Sequence, residues 1–425
     1  MVALLAAGCG GSSKAFKIGL VVDCEGVFSG YSEQVLAGAE LPLLERGGRL
    51  TGKQPSDGVA GPTVAGRRVE IRQGCEEITN LTQLIENVRR LVEAEHVDVV
   101  VAPMIGNAEG IVLRTLARRY PGVAFIVGYS GAQETTLRDP APNLFRFSLD
   151  AAQGEAGLGT YAYRDLGWRH AAVVFEDNEY TWPQAAGFVA EFCALGGSVQ
   201  RVPTEAPAAA AVRRLAKRTD GVALMSLTFQ NTVGFAAAYA RVRGGLAPHL
   251  LLGLTALDFA DPASFAKSAP LLRGLVQAGF SHDARDPAWV AFRRAYVKHF
   301  PGLGAPATPA DFPFPIVLTY YDSVEASLRA LAHAHGAGRG FLRTLAVTTL
   351  DAPGGPIRLD RGRQAIVSTY LSRIQTGAKG VPTIRTFRVL RNVEQTFAGY
   401  FSATTPTPTA TRPGCHTAAA PPWSK

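Results

Sequence analysis

Three short stretches carry residue types that could do chemistry. In "VGYSGAQ" (127–133) Ser130 follows an apolar run, a setting similar to the Gly-x-Ser-x-Gly elbow that presents a serine for attack on an acyl carbon. The residues read Gly-Tyr-Ser-Gly-Ala, so the second glycine stands one position too close, and no histidine follows in an order that suits a base. "HAHG" (333–336) sets His333 and His335 two apart, a spacing that diverges on a helix and cannot converge on a metal. "GLGTYA" (157–162) has the small residues of a dinucleotide loop, but it lies inside a helical pattern and follows no strand, which is the wrong context for phosphate binding. No catalytic group, metal or cofactor is expected, and a hydrolase built on Ser130 is the weakest functional reading.

The frame that must position any site is an alternation of short apolar runs and longer amphipathic ones. "KIGLVVD" (17–23), "DVVVAPM" (98–104), "VAFIVG" (123–128), "AAVVFED" (171–177), "GVALMSL" (221–227) and "HLLLGL" (249–254) have the length and continuous apolarity of strands covered on both faces. Between them, "TNLTQLIENVRRLVEAEH" (79–96) repeats Leu81, Leu84, Ile85, Val88, Leu91 and Val92 on one helical face, with Thr79 or Asn80 as the cap. Further helices are expected at 184–197 and 232–245, each ended by a glycine pair, at 287–300, opened by Pro287, and at 315–336. A helix near 31–46 holds Pro42, which should kink it or end it early. Strand, helix, strand order predicts parallel sheets with right-handed crossovers. The chain folds as α/β in two Rossmann-like units, one from about Lys17 to Phe147 and the next from about Gln153.

At 425 residues the chain exceeds the roughly 250–300 at which one core stops growing. Hydrophobic residues make up 47% and charged ones 18%, enough to bury a real core. No apolar run nears the roughly 18 residues of a membrane span. The net charge of +8 is scattered in pairs such as Arg67-Arg68, Arg118-Arg119 and Arg293-Arg294, most of them on the polar sides of expected helices. A nucleic-acid binder would gather it into a stripe with aromatics, so nucleic acid is not an expected partner. From Ser402 onward the chain is Thr, Pro and Ala with little to bury, and residues 402–425 are expected to be disordered.

Five cysteines are present. Cys24 and Cys75 end apolar runs that become neighbours if those strands lie side by side, which brings them near disulfide spacing. An exported protein would oxidise the pair. Cys193, within "GFVAEFCALGG", reads as a reduced core thiol, and Cys415, inside the tail, as incidental. Cys9 is different. "LLAAGCGGSS" resembles the lipobox of bacterial lipoproteins, which implies diacylation of the Cys9 thiol and a flexible tether after it. Eight residues precede Cys9, none of them Lys or Arg, fewer than a full signal peptide needs, so residues 1–15 read as a truncated signal and tether.

"KIGLVVDCEGVFSGYSEQVLAGAELPL", "EIRQGCEEITNLTQLIENVRRLVEAEHVDVVVAPM", "RFSLDAAQGEAGLGTYAYRDLGWRHAAVVFEDNEY" and "LTYYDSVEASLRALAHA", in that order, resemble the branched-chain amino-acid binding type of ABC-transporter substrate-binding proteins. The resemblance implies the type I periplasmic binding fold, two lobes joined by three crossovers near Ser148–Gln153, Phe280–Ala284 and Thr348–Arg358. It assigns 16–150 plus 283–347 to the N-terminal lobe and 151–282 plus 348–401 to the C-terminal lobe. The ligand contacts it implies are Tyr31, Gly106 and Asn107, the turn Ser130, Gly131 and Ala132, and, on the second lobe, Tyr180, Phe229 and Thr255. In amino-acid binders an acidic residue that pairs with the ligand ammonium falls near Thr255. Without a carboxylate there, an α-amino acid is a poor ligand unless Asp258 or Glu25 reaches the cleft, and the aromatic walls favour a flat or apolar part. The expected role is an extracytoplasmic, lipid-anchored, monomeric solute receptor for an ABC permease, on the outer face of the cell membrane or in a periplasm. A sensor on the same fold is the alternative.

Overall fold

A computed structural model describes residues 14–78, 80–102, 106–205, 209–257, 262–279, 286–303, 315–334, 338–376 and 382–425. Cys9, Asp258, His335 and the expected crossing at Phe280–Ala284 lie outside the described residues. Among the described residues, no helix is long and apolar enough to cross a membrane.

The first sheet is built from β1 (Phe16–Asp23), β2 (Thr63–Val64), β3 (Arg67–Glu76), β4 (Val99–Val101), β5 (Ala124–Val127) and β6 (Leu144–Arg146), in the order β2-β3-β1-β4-β5-β6. All its pairs are parallel except β2 with β3. The apolar runs become its centre: Ile18, Val99, Val101 and Ile126 face one core, and Val21, Val100, Phe125 and Val127 the other. The second sheet has nine strands. β7 (His170–Glu176), β8 (Ser198–Thr204), β9 (Gly221–Met225), β10 (Leu250–Leu252) and β11 (Val276–Gly279) are parallel to their neighbours in the order β8-β7-β9-β10-β11. An antiparallel set, β12 (Leu350–Ala352), β13 (Gly355–Leu359), β14 (Ala365–Thr376) and β15 (Pro382–Val393), is added at the β11 edge through β14.

The helices form where the apolar spacing puts them. α1 (Ser32–Leu44) ends two residues after Pro42, which cannot donate to the preceding turn. α2 (Leu81–Arg89) starts at Asn80, whose side chain accepts from the Gln83 N–H at 3.2 Å, and it runs on into a π turn over Arg90–Ala94. α3 (Asn107–Arg119), α4 (Thr181–Ala194), α5 (Phe229–Arg243), α6 (Pro287–His299) and α7 (Pro315–His333) follow. Gly244 closes α5 in the left-handed region at φ 74°, and Asp286 caps α6 ahead of Pro287. The chain goes back to the first lobe after β11: α7 contributes Tyr320, Val324 and Leu328 to the first core, and Trp289 and Phe292 of α6 pack with Leu41 of α1.

Three expectations about cysteine and the tail require correction. The expected bridge is not among them: Cys24 and Cys75 are linked, with Cα atoms 5.4 Å apart at the ends of β1 and β3. Cys193, however, is no free thiol: it is bridged to Cys415, which is therefore not incidental. Residues 402–425 also pack instead of standing free. Trp423 lies edge-on to Phe397 at 5.3 Å and donates to Glu191 at 3.0 Å, while Arg201 donates to the carbonyls of Thr409 and Ala410. A segment too polar to form a core of its own is ordered here by a cross-link and by aromatic anchors on another surface.

Candidate ligand cleft

Parallel pairing in register brings the last residues of β1 and β3 together, Asp23 opposite Glu76. Asp23 is 1% exposed and Glu76 2%. Among the described residues, both carboxylate oxygens of Asp23 and Oε2 of Glu76 have no hydrogen-bond partner. Glu109, in the first turn of α3, is also buried, with Oε2 unpartnered. Burial is the main reason that Asp23 is pushed up to about 7 and Glu76 to about 8, and their mutual repulsion with Glu109 adds to it. Glu109 is raised by burial and by Glu179.

Glu179 and Tyr180 come from the other lobe, in the loop between β7 and α4. A Cβ placed on Gly106 would stand 2.6 Å from Glu179 Oε1 and 2.7 Å from Glu109 Oε2. Carboxylates of the two lobes thus close on one point, left open because residue 106 has no side chain. Tyr180 packs its ring against the core of the first lobe. Burial and the charges of Glu109, Glu179 and Asp23 hold its phenol well above the usual range. Beneath the cluster, Tyr320 of α7 donates to the Val21 carbonyl at 2.8 Å.

Two other buried carboxylates are handled differently, although Glu40 in α1 shares the orphaned state of Asp23. Glu176, ending β7, accepts from Ser226 Oγ, the Leu227 N–H and Asn231 Nδ2. Glu191 accepts from the Gly157 and Gly159 N–H groups, Thr160 Oγ and Trp423. Those two anchor their lobe through neutral donors, whereas Asp23 has none.

Of the residues expected at the site, Gly106 and Tyr180 are brought to this cluster. Tyr31 caps α1, half-buried, with its ring 6.5 Å from Phe28. Asn107 opens α3, its side chain outside the described atoms. The turn after β5 is occupied internally: Ser130 Oγ accepts from the Ala132 N–H, the Gly131 carbonyl accepts from the Ala151 N–H, and the Ala132 carbonyl accepts from Arg146. Its Ala132 N–H is therefore not an open anion cradle. Thr255 Oγ accepts from Gln184 and donates to the Ser226 carbonyl. Phe229 is 2% exposed and packs 6.0 Å from Phe265 in the second lobe's own core, not on a cleft wall. Glu25 is exposed and accepts from Gln83. Sequence reasoning missed Asp23, Glu76, Glu109 and Glu179. The signal for the first was a lone acid closing the otherwise apolar run "KIGLVVD".

Where the chain first crosses between sheets, Gln153 donates to the carbonyls of Ala365 and Val393, and Gln364 donates to the Ser148 carbonyl and to Gln153. This lacing ties the crossing segments together.

The model of a family described as periplasmic binding protein matches residues 15–379. No protein of curated function matches the sequence. Among solved structures, an ABC transporter substrate-binding protein from Sphaerobacter thermophilus is 20% identical, with a TM-score of 0.74 over 90% of this chain and 99% of that one. A solute-binding protein from Rhodopseudomonas palustris, in complex with 3,4-dihydroxybenzoic acid, is 20% identical with a TM-score of 0.69, covering 90% and 98%. A leucine-binding protein from Thermotoga maritima is 18% identical with a TM-score of 0.67, covering 88% and 98%. At such identities the likeness is one of fold.

Proposed function

The chain belongs to the periplasmic binding protein family, and on that premise we propose that it captures a small solute between its lobes and delivers it to the permease of an ABC importer. The lobes are taken as 16–150 plus 283–347 and 151–282 plus 348–401. The observation that carries the reading is the meeting of Glu179 and Tyr180 with Asp23, Gly106 and Glu109, at the carboxyl ends of strands, where open α/β sheets bind their ligands. Solute held by one lobe recruits the other, so affinity and closure are linked. The disulfides suit an oxidising compartment, and a lipid on Cys9 would hold the protein at the outer membrane face.

Tyr180→Ala is expected to weaken solute binding by roughly 10- to 100-fold while the melting transition stays cooperative. Isothermal titration and a thermal melt on the same preparation check this; unchanged affinity would move the pocket elsewhere. Cys9→Ser, expressed with a full export signal, is expected to shift the protein from the membrane to the soluble extracytoplasmic fraction. Equal partition of the two forms would remove the anchor from the reading. Conversion of the bound solute into a product would overturn the transport role in favour of an enzyme.

A further inference from the structure

We infer that the solute is an organic cation, an amine or guanidinium compound whose charged group is held by Asp23 and Glu76 and enclosed by Glu109, Glu179 and Tyr180. The inference rests on the solute-binding reading and names the solute's class. A buried carboxylate is ordinarily paired or hydrogen-bonded, because desolvation of the bare ion is costly. Asp23 is 1% exposed with neither oxygen partnered, and Glu76 beside it has one orphan oxygen. These groups therefore await donors that the described chain does not provide, and they do so at the interlobe cleft, not in a lobe's interior.

The surroundings repeat the sign. The charges acting on Asp23 and Glu76 are those of other carboxylates: Glu109 for the first, Asp23 and Glu109 for the second. Closure brings Glu179 of the second lobe against Glu109 of the first around Gly106. Unliganded, that approach sets like charges together; with a cation between them, it becomes attractive. A cationic solute thus supplies the differential contact that favours the closed form. A bare metal ion fits less well: among the described residues, no group of three or more His, Cys, Asp or Glu is arranged to hold one. An anionic aromatic acid would instead meet the carboxylates of Asp23, Glu76 and Glu109.

The test uses the full chain, with putrescine, agmatine, arginine and choline as cationic probes and benzoate, glucose and calcium chloride as the others. Binding is read by thermal shift and by titration calorimetry. At least one cationic probe is expected to bind, and Asp23→Asn is expected to weaken it by about 30-fold or more, with Glu179→Gln as the second variant from the opposite lobe. Binding of benzoate, glucose or calcium alone would overturn the cation inference and leave the solute-binding reading standing. Failure of every amine and guanidinium probe would also overturn it. Cation binding unchanged in both variants would overturn the assigned site. Turnover of a bound amine would leave the cation assignment intact and remove the transport reading instead.

Discussion

Replacing Cys193 and Cys415 together by alanine is expected to destabilise the protein by about 5 kcal/mol and to free its last twenty-odd residues for proteolysis. The bridge spans 222 residues of sequence, so in the unfolded chain it closes a very long loop, and loop-closure entropy grows slowly but steadily with length. The shorter span of Cys24–Cys75, 51 residues, gives about 4 kcal/mol on the same argument. For a chain of this size several kcal/mol corresponds to only about 4 to 6 °C in Tm, so proteolysis is the sharper readout. Besides the bridge, the tail is held by Trp423 against Phe397, Tyr400 stacked on His416 at 3.9 Å, the bonds of Arg201 and Arg138 to tail carbonyls, and hydrogen bonds donated by Thr407 to Glu134 and by Trp423 and Ser424 to Glu191. Loss of the cross-link should let them part, while Glu191 keeps its donors from Gly157, Gly159 and Thr160. Mass spectrometry after brief trypsin treatment, oxidised against double mutant, decides it. Equal resistance of the two would show that the tail packs without the bridge, and equal lability would show that the bridge does not order it.

The parallel strands were legible because burial on both faces leaves an unbroken apolar run. "KIGLVVD", "AAVVFED" and "GVALMSL" became β1, β7 and β9 within a residue or two at each end. Helices 79–96 and 287–300 were legible through their periodicity and caps. The antiparallel set was not: β14, "AIVSTYLSRIQT", and β15, "PTIRTFRVLRNV", mix polar and apolar residues and follow a Gly-rich stretch that reads as irregular. One face of β14 carries Leu371 into the second core while Ser372 bonds across to Thr386, a period-2 pattern that only pairing makes plain. The tail was misread for a related reason, since composition reports what a segment can bury by itself and not what another surface offers it.

The site was legible by half. Position in the chain led to Gly106 and Tyr180 of the candidate cluster, while Phe229 lies in the second lobe's own core and Thr255 bonds the Ser226 carbonyl, both outside that cluster. The acids were hidden for the opposite reason. Asp23, Glu76, Glu109 and Glu179 are 156 residues apart at their extremes in an ordinary background of charge, and nothing in spacing marks them as one group. Register puts Asp23 beside Glu76, the start of α3 brings Glu109, and lobe closure brings Glu179. What marks Asp23, Glu76 and Glu109, burial with carboxylate oxygens that find no donor among the described residues, belongs to the fold alone.

Without ligand, the protein is expected to lose stability as pH rises from about 4 to about 8, and Asp23→Asn is expected to remove the share of that loss that Asp23 contributes. Asp23 is raised from 3.8 to about 7 and Glu76 from 4.5 to about 8. Below about pH 3 both are protonated in folded and unfolded chains alike, and the fold carries no penalty. As pH rises, the unfolded chain ionises first, so the folded form binds the extra proton and stability falls until the folded values are passed. For Asp23 the loss is on the order of 4 kcal/mol, shared with Glu76 because the two act as one coupled pair. The groups that face Asp23 are Glu76, Glu109, Tyr180 and Tyr320, none of which supplies positive charge. Elsewhere Glu40 and Glu155, raised to about 8, and Asp150, raised to about 6, add slopes of the same sign, so the informative quantity is the difference between wild type and Asp23→Asn. The two melting curves should converge at about pH 3, and the variant should be the more stable at about pH 8. A gap independent of pH would show that Asp23 is needed for packing and does not titrate in this window. A bound cation reverses the balance by favouring the ionised pair, so its affinity should rise with pH through 7, and calorimetry in buffers of different ionisation enthalpy should detect protons released on binding.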